Sequence, residues 1–326
     1  MRKLIRVLLP CVVIGYFYSV PARNAEAQAF PSKTIEVVTH VGPGGGADIF
    51  SRYVVDIINR EKLLPQPMVV VNKPGGSGAI AQNYVAGKRG DPHTLLTIIH
   101  ATFLNVPTVS GLDLGLEKFT PLALFGFDMN LVAVGQDSSY KNLKDVIDAA
   151  KRSPKSVTVA VGTMGATAHM LGYLIEKQTG AKFNFIAHKG GGEAVLAVLG
   201  GHVQVSMENP SELIEHVRAK KLRALAISSE KRSPFLPGVP TLKEQGLPLT
   251  LGLGRAFGAP AGIPKEAQTL LEATFEKAYR TPAWKDFSTK NMFDDVFMKG
   301  EVFKNYLISQ QPVWRKFIHD AGLAKK

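Results

Sequence analysis

Residues 34–50 read TIEVVTHVGPGGGADIF. TIEVVTH alternates with the period of a half-buried strand, and ADIFSRYVVDII, from Ala47, spaces its apolar residues as a helix does. Between them lie Gly42, Pro43, Gly44, Gly45 and Gly46. A strand, a glycine turn and a helix open a βα unit. Such a turn suits an anion, because the helix start offers unpaired N–H groups and a partial positive charge. A tight turn with no ligand fits the same residues. Asp48 falls in the first helical turn, where its carboxylate suits the dipole and can cap an N–H, but it would repel an anion at touching distance.

The unit recurs outward from this stretch. PMVVVN (67–72) leads into KPGGSGAI and a helix to about Gly87, and HTLLTI (93–98) leads into IHATFLNVP. Three such units predict a parallel sheet covered by helices. The rhythm changes over 119–135, FTPLALFGFDMNLVAVG, and a second series follows: helix 142–153, strand 156–162, the loop GTMGATAHM, and a helix to about Thr179. KFNFIAHKGGGEAV, HVQVSMENPSEL and KLRALAIS continue it. Near Arg255 a short strand is expected in AFGAPAGIP, with Pro264 as the first residue of a helix. Helices are expected at about 282–290 and 300–321. The absence of a long linker argues for two α/β lobes joined by short crossings.

Each glycine-rich loop follows a predicted strand, the edge at which open α/β sheets bind ligands. Pro43 to Asp48 is one candidate. Gly162, Thr163, Gly165, Ala166 and Thr167 form a second, with two hydroxyls and a run of N–H groups. Lys189 and Gly190 of HKGGGEAV form a third, and Ser77 of the KPGGSGAI turn is a weaker one. Thr102, Asn209 and Arg255 complete the candidates, Arg255 as a charge partner, a hinge residue or a plain interlobe ion-pair residue. His169 reads as a helix-packing or capping residue.

The first thirty residues differ from the rest. A basic start, MRKLIR, precedes an apolar run of about twelve residues, shorter than the roughly 20 that span a bilayer. Ala25-Glu26-Ala27 and Ala27-Gln28-Ala29 fit signal-peptidase cleavage, so residues 1–29 are expected to be a cleaved export signal and the protein periplasmic. Cys11, the only cysteine, lies inside that segment. The mature chain therefore has no disulfide or thiol chemistry. The full chain carries a net charge of +12. Removing residues 1–29 takes Arg2, Lys3, Arg6, Arg23 and Glu26 and leaves +9. The basic residues are scattered, so nucleic acid is not expected as a partner, while a modest positive field would concentrate small anions.

Known chemistries find little support. Gly42 to Ala47 formally matches a dinucleotide fingerprint, but Asn72 stands where an acidic residue should hold the ribose. GGSGA around Ser77 nearly matches a nucleophile elbow and ends in Ala79. No phosphate-binding loop, HExxH or Cys/His cluster is present. No cofactor, metal site or catalytic constellation is expected.

The chain resembles the substrate-binding receptors of tripartite tricarboxylate transporters, the Bug or TctC family, over about residues 30–324. FPSKTIEVVTHVGPGGGADIFSR, VVVNKPGGSGAIAQNYVAGKRGDPHTLLT, KSVTVAVGTMGATAHM, the FNFIAHKGGGEAV to ISSEKR segment, LPGVPTLKEQG and GRAFGAPAGIP carry the resemblance in order. It implies a type II periplasmic binding protein with two doubly wound α/β lobes: 30–128 with 229–326, and 129–228. It further implies a non-enzymatic, monomeric receptor that closes on a small organic carboxylate and serves a membrane permease of one large and one small subunit. Ligand groups would meet Gly44 to Asp48 and Gly162 to Thr167, partly through water. A sensor for a membrane signalling partner, or a serine esterase using Ser77, are the other readings. Three departures bear on the ligand: Gly254 where relatives often carry an aromatic, His188 in place of an aromatic, and Ala47 in place of Thr or Ser. They are expected to enlarge the pocket or change its polarity.

Overall fold

Apolar alternation and helical stripes in this chain build two α/β layers, described by a computed structural model over residues 30–294 and 296–325. The expected signal segment and its cleavage points lie outside the described residues. The first run comprises β1 (Ile35–Thr39), α1 (Gly46–Arg60), β2 (Met68–Asn72), α2 (Ala79–Ala86), β3 (Thr94–Ile99), α3 (His100–Ser110) and β4 (Phe119–Met129). The second comprises β5 (Leu131–Gly135), α4 (Leu143–Arg152), β6 (Val157–Val161), α5 (Thr167–Thr179), β7 (Phe183–Ala187), α6 (Gly191–Leu199), β8 (Val205–Ser206), α7 (Pro210–Arg218) and β9 (Leu222–Ile227). The chain then returns through β10 (Gly252–Pro260), α8 (Lys265–Tyr279), α9 (Pro282–Lys290), β11 (Met298–Lys299) and α10 (Gly300–Asp320).

The strands form two sheets, ordered β11-β4-β10-β3-β1-β2 and β7-β6-β8-β5-β9. Within the first, β1 runs parallel to β2 and β3, and β10 inserts antiparallel between β3 and β4. Within the second, β6 is parallel to β7 and β8 while β5 is antiparallel to β8 and β9. The protein is thus a two-lobed type II binding-protein fold, in which both sets of βα turns emerge at the carboxyl ends of parallel strands.

The sequence pattern explains the packing. On α1, Phe50, Val54, Ile57 and Ile58 are buried at helical spacing, and Arg60 closes the last turn where a cation suits the dipole. Phe50 joins an aromatic core with Phe125, Phe257, Phe275 and Trp284, in which the Phe257 and Phe275 rings stack 4.6 Å apart. α4 opens with a reciprocal capping box between Asn142 and Asp145.

The structure corrects two local expectations. The strand near Arg255 is nine residues long, because it pairs on both sides. Pro264 is the N-cap of α8, with extended backbone, and the helix starts at Lys265. The long β-rich crossing resolves into β4 and β5, which belong to different sheets and part at Asn130. There the two interlobe crossings are bonded to each other. The Asn130 N–H donates to Ser228 Oγ at 2.8 Å, the Ser228 N–H donates to Asn130 O at 2.9 Å, and Ser228 Oγ donates to Leu251 O at 2.6 Å.

Candidate functional site

The turn after β1 and the turn after β6 face each other across the gap between the lobes. Each delivers a helix N-terminus. Gly45 caps α1 and Ala166 caps α5, and neither N-cap residue supplies a side-chain acceptor of its own. Their first N–H groups are therefore open to groups from across the gap.

A cavity of about 40 Å³ lies between them. Its lining draws on both lobes: His40, Gly46, Ala47, Thr102 and Arg255 from one, and Gly162, Thr163, Ala166, Thr167, Glu208, Asn209 and Glu212 from the other. That volume is nearer to a water or two than to the roughly 300 Å³ or more of organic-ligand pockets. Two larger spaces adjoin it. One, of about 240 Å³, is lined by His40, Ser77, Thr163, His188 and Lys189. The other, of about 400 Å³, is lined by Pro43, Gly44, Gly45, Lys189, Gly190 and Glu212.

Nine of the candidates read from sequence meet at the inner cavity: Gly46, Ala47, Thr102, Gly162, Thr163, Ala166, Thr167, Asn209 and Arg255. Pro43, Gly44, Gly45, Ser77, Lys189 and Gly190 line only the outer spaces. Asp48 and Gly165 line none of these three. The Asp48 carboxylate accepts from the Gly44 N–H at 3.0 Å, from Arg52 Nε at 3.0 Å and from Asn72 Nδ2 at 2.8 Å. Burial works against its charge, but these hydrogen bonds outweigh it and hold the carboxyl below its usual range. Asp48 and Asn72 thus brace the first loop, since Asn72 Nδ2 also donates to Val41 O at 2.9 Å. The Gly165 carbonyl accepts from Asn105 Nδ2 at 2.5 Å across the lobes, and its N–H donates to His169 Nδ1 at 3.2 Å. His169 is the capping residue the sequence suggests.

Gly162 is placed by close packing. A Cβ there would lie 2.3 Å from the Gly191 nitrogen, so the second and third loops touch backbone to backbone. Gly254, by contrast, opens no room in the cavity. Leu253 and Arg255 line it, and residue 254 faces the other side of the strand, where a Cβ would meet His100, Leu124 and Phe127. The expectation of a pocket enlarged at 254 is corrected accordingly. The His100 Nδ1 there accepts from the Gly254 N–H at 2.7 Å.

Arg255 is 1% exposed and forms an ion pair with fully buried Asp128, through both Nε and Nη2. Nη2 also reaches Ser211 Oγ at 3.3 Å, in the other lobe. Burial pushes the Asp128 carboxyl up to about 7 against the pull of Arg255.

Two further carboxylates escaped the sequence reading. The Gly162 N–H donates to Glu208 Oε1 at 2.6 Å, and the Gly46 N–H donates to Glu212 Oε1 at 2.6 Å. The protein's own carboxylates therefore meet one amide of each facing loop. Burial, then repulsion from Glu212, pushes Glu208 up to about 8, and burial raises Glu212 as well. His40, also missed, is buried at the cavity and held neutral, first by burial and then by Arg255, down to about 4. Glu212 sits in the first turn of α7, where an acid looks like an ordinary dipole partner, so its local sequence carries no signal of this position. Among the described residues, no group of three or more His, Cys, Asp or Glu is arranged to hold a metal ion. Nor is any described helix long and apolar enough to cross a membrane.

Known proteins resemble this chain in sequence and fold. Residues 52–323 match the model of the tripartite tricarboxylate transporter family receptor. The chain is 30% identical to protein BugT of Bordetella pertussis over 325 residues, covering 96% of this chain and 98% of that protein. It is 31% identical over 309 residues to a Cupriavidus necator protein encoded in the gbd 5′ region, covering 94% and 93% of the two chains. A solved periplasmic transporter structure, 28% identical, superposes with a TM-score of 0.84 over 91% of this chain and 99% of that one. The structure of R. palustris Rpa4515 with adipate, 23% identical, shares the fold at a TM-score of 0.82, covering 90% and 99% of the two chains.

Proposed function

We propose that this protein, which belongs to the tripartite tricarboxylate transporter receptor family, is a periplasmic receptor that captures a small organic carboxylate between its lobes and hands it to a two-subunit membrane permease. One observation carries the reading. Two helix N-termini whose N-cap residues supply no side-chain acceptor, one from each lobe, converge with Arg255 on a single interlobe cavity. Backbone N–H groups and helix dipoles favour anions, and a ligand that touches both lobes favours their closed arrangement.

The crossings at Asn130 and Ser228 are the natural hinge, dividing residues 30–128 with 229–326 from 129–228. Entry requires the lobes to part, since the inner cavity is far smaller than an organic acid. Gly46, Ala47, Thr102, Gly162, Thr163, Ala166, Thr167, Asn209 and Arg255 would then hold the ligand. Gly44, Gly45, Ser77, Lys189 and Gly190 would line its approach. The receptor works as a monomer without catalysis, and its export depends on residues 1–29.

Thermal unfolding against a panel of mono-, di- and tricarboxylates tests the reading. A ligand at 100 times its Kd stabilises by about 2.7 kcal/mol. A panel in which no carboxylate raises the melting temperature would sink the proposal.

A further inference from the structure

The charge balance of the cavity is unusual for an anion receptor. Glu208 and Glu212 line it, and Asp128 lies directly behind Arg255. Arg255 is the cavity's only cation among the described residues, and its Nε and Nη2 are already spent on Asp128 and Ser211. His40 completes the ionisable groups of the lining. It is buried and has no hydrogen-bond partner among the described residues, so its ring is available to a bound group. On the outer side, Lys189, Glu193, Glu215 and His216 share the groove with Glu212 and add no net positive charge.

Three carboxyl groups therefore share one guanidinium before any ligand arrives. A ligand carboxylate would make a fourth. Carboxylates that share a poorly solvated site cannot all stay ionised, and one takes a proton. Glu212 is the natural acceptor. Its carboxylate lies in the wall between the inner cavity and the outer groove, within reach of solvent protons.

We propose that Glu208 and Glu212 make ligand capture proton-coupled: a carboxylate enters together with one proton from solvent, shared between its inner carboxyl and these glutamates. The bound form is a carboxylic acid–carboxylate pair, not a bare anion over an amide nest. One O–H bond forms on the pair as the proton's bond to hydronium or to a buffer acid breaks, leaving water or the buffer base, and no other bond changes. The cleft thereby selects mono- and dicarboxylates, and rejects ligands that bring a third buried negative charge. The burial that already raises both glutamates supports this direction. The inference rests on the carboxylate-receptor reading above.

The test is calorimetric titration of the mature protein with succinate and with glutarate, in buffers of differing ionisation enthalpy, between about pH 6.5 and pH 8.5, where both probes stay doubly ionised. The expected result is proton uptake that grows from little at pH 6.5, where Glu208 already holds its proton, toward about one per ligand at pH 8.5, with a Kd that weakens over the upper part of that range by up to about tenfold per pH unit. Glu212→Gln and Glu208→Gln, close in shape to the parent side chains, should flatten that dependence. A flat Kd with no proton exchange overturns the proposal and leaves the receptor reading standing. So does a wild-type slope retained in both variants. Aspartate binding at least about tenfold tighter than succinate, with no proton uptake and with loss in Glu212→Gln, overturns it in favour of ammonium recognition. Failure of every carboxylate across the pH range overturns the receptor reading, and the proposal with it.

Discussion

Gly46 and Glu212 belong to different lobes, yet the Gly46 N–H donates to Glu212 Oε1 at 2.6 Å. This bond closes the cleft directly. It places a side-chain carboxylate at the start of α1, where the helix dipole favours negative charge. Truncating Glu212 removes the acceptor. Glu212→Ala should therefore increase the open population of the ligand-free receptor, since a hydrogen bond to a charged group contributes about 1.5–3 kcal/mol. Small-angle scattering should show a larger radius of gyration than the parent. An unchanged scattering curve would show that this contact does not govern closure.

The buried titratable groups set a pH profile for stability. His40, His100 and His169 are each lowered from 6.5 to about 4, chiefly by burial. The unfolded chain takes up their protons first as pH falls, so the stability they allow is present above about pH 6.5 and is lost toward pH 4. Glu208, raised to about 8, and Asp128, raised to about 7, act in the opposite sense. Their folded forms hold protons that the unfolded chain has released, so stability falls as pH rises toward those values. From pH 4.5 to 6.5 the two sets oppose each other. Above pH 6.5 only the carboxyls act, with a slope of up to about 1.4 kcal/mol per pH unit per proton. Urea denaturation should give similar stabilities at pH 5.5 and 6.5 and a lower one at pH 8. Glu208→Gln should reduce that decline. Stability that rises from pH 6.5 to 8 would contradict the assignment.

These carboxyls also mark where local sequence stops being informative. The βα units could be read because periodicity and glycine turns are local signals, and the facing loops follow from the rule that strand ends bind ligands. Glu212 reaches the site because the start of α7 meets the other lobe, where Asn209 Nδ2 donates to the Asp128 carbonyl at 3.1 Å, while Glu208, just before that helix, turns to Gly162 in its own lobe. No spacing within MENPSEL encodes that placement. Asp48 shows the converse. Its position in the loop suggested a role beside the ligand, while its carboxylate is spent on Gly44, Arg52 and Asn72. Gly254 was misread for want of a strand register, which turns residue 254 away from the cavity.

The Arg255–Asp128 pair is a second point of leverage. Both side chains are removed from water, so taking away one partner leaves the other as a buried, unpaired group. Arg255→Met should destabilise the protein by about 3–5 kcal/mol. Adding Asp128→Asn should recover a substantial part of that loss, because the amide needs no counter-charge. A double variant no more stable than Arg255→Met would mean that packing of the Arg255 stem, not charge pairing, dominates.

Gly162 tests the contact between loops. An alanine methyl there would sit 2.3 Å from the Gly191 nitrogen and 2.5 Å from the Gly190 carbonyl carbon. Neither neighbour is a side chain that can rotate away. Gly162→Ala should cost about 1–3 kcal/mol as the loops part, and should weaken ligand binding at the same time. Parental stability together with parental affinity would show that these loops can shift apart at no cost to the site.

Ala166 separates ligand binding from folding most cleanly. It is the N-cap of α5, has extended backbone and gives its helix no side-chain acceptor. Ala166→Asp would introduce one of the best capping residues, able to accept from the N–H of Ala168 or His169. Capping of this kind contributes about 0.5–2 kcal/mol, which offsets repulsion from nearby Glu208. The same carboxylate would consume N–H groups the ligand needs and would add negative charge to the cavity lining. The expected outcome is a melting temperature close to the parent with carboxylate affinity at least about tenfold weaker, roughly 1.4 kcal/mol. Parallel melting and calorimetric titration decide the matter. A variant that folds and binds like the parent would remove the start of α5 from the ligand site, whereas one that loses stability and affinity together would point to damage in the loop itself.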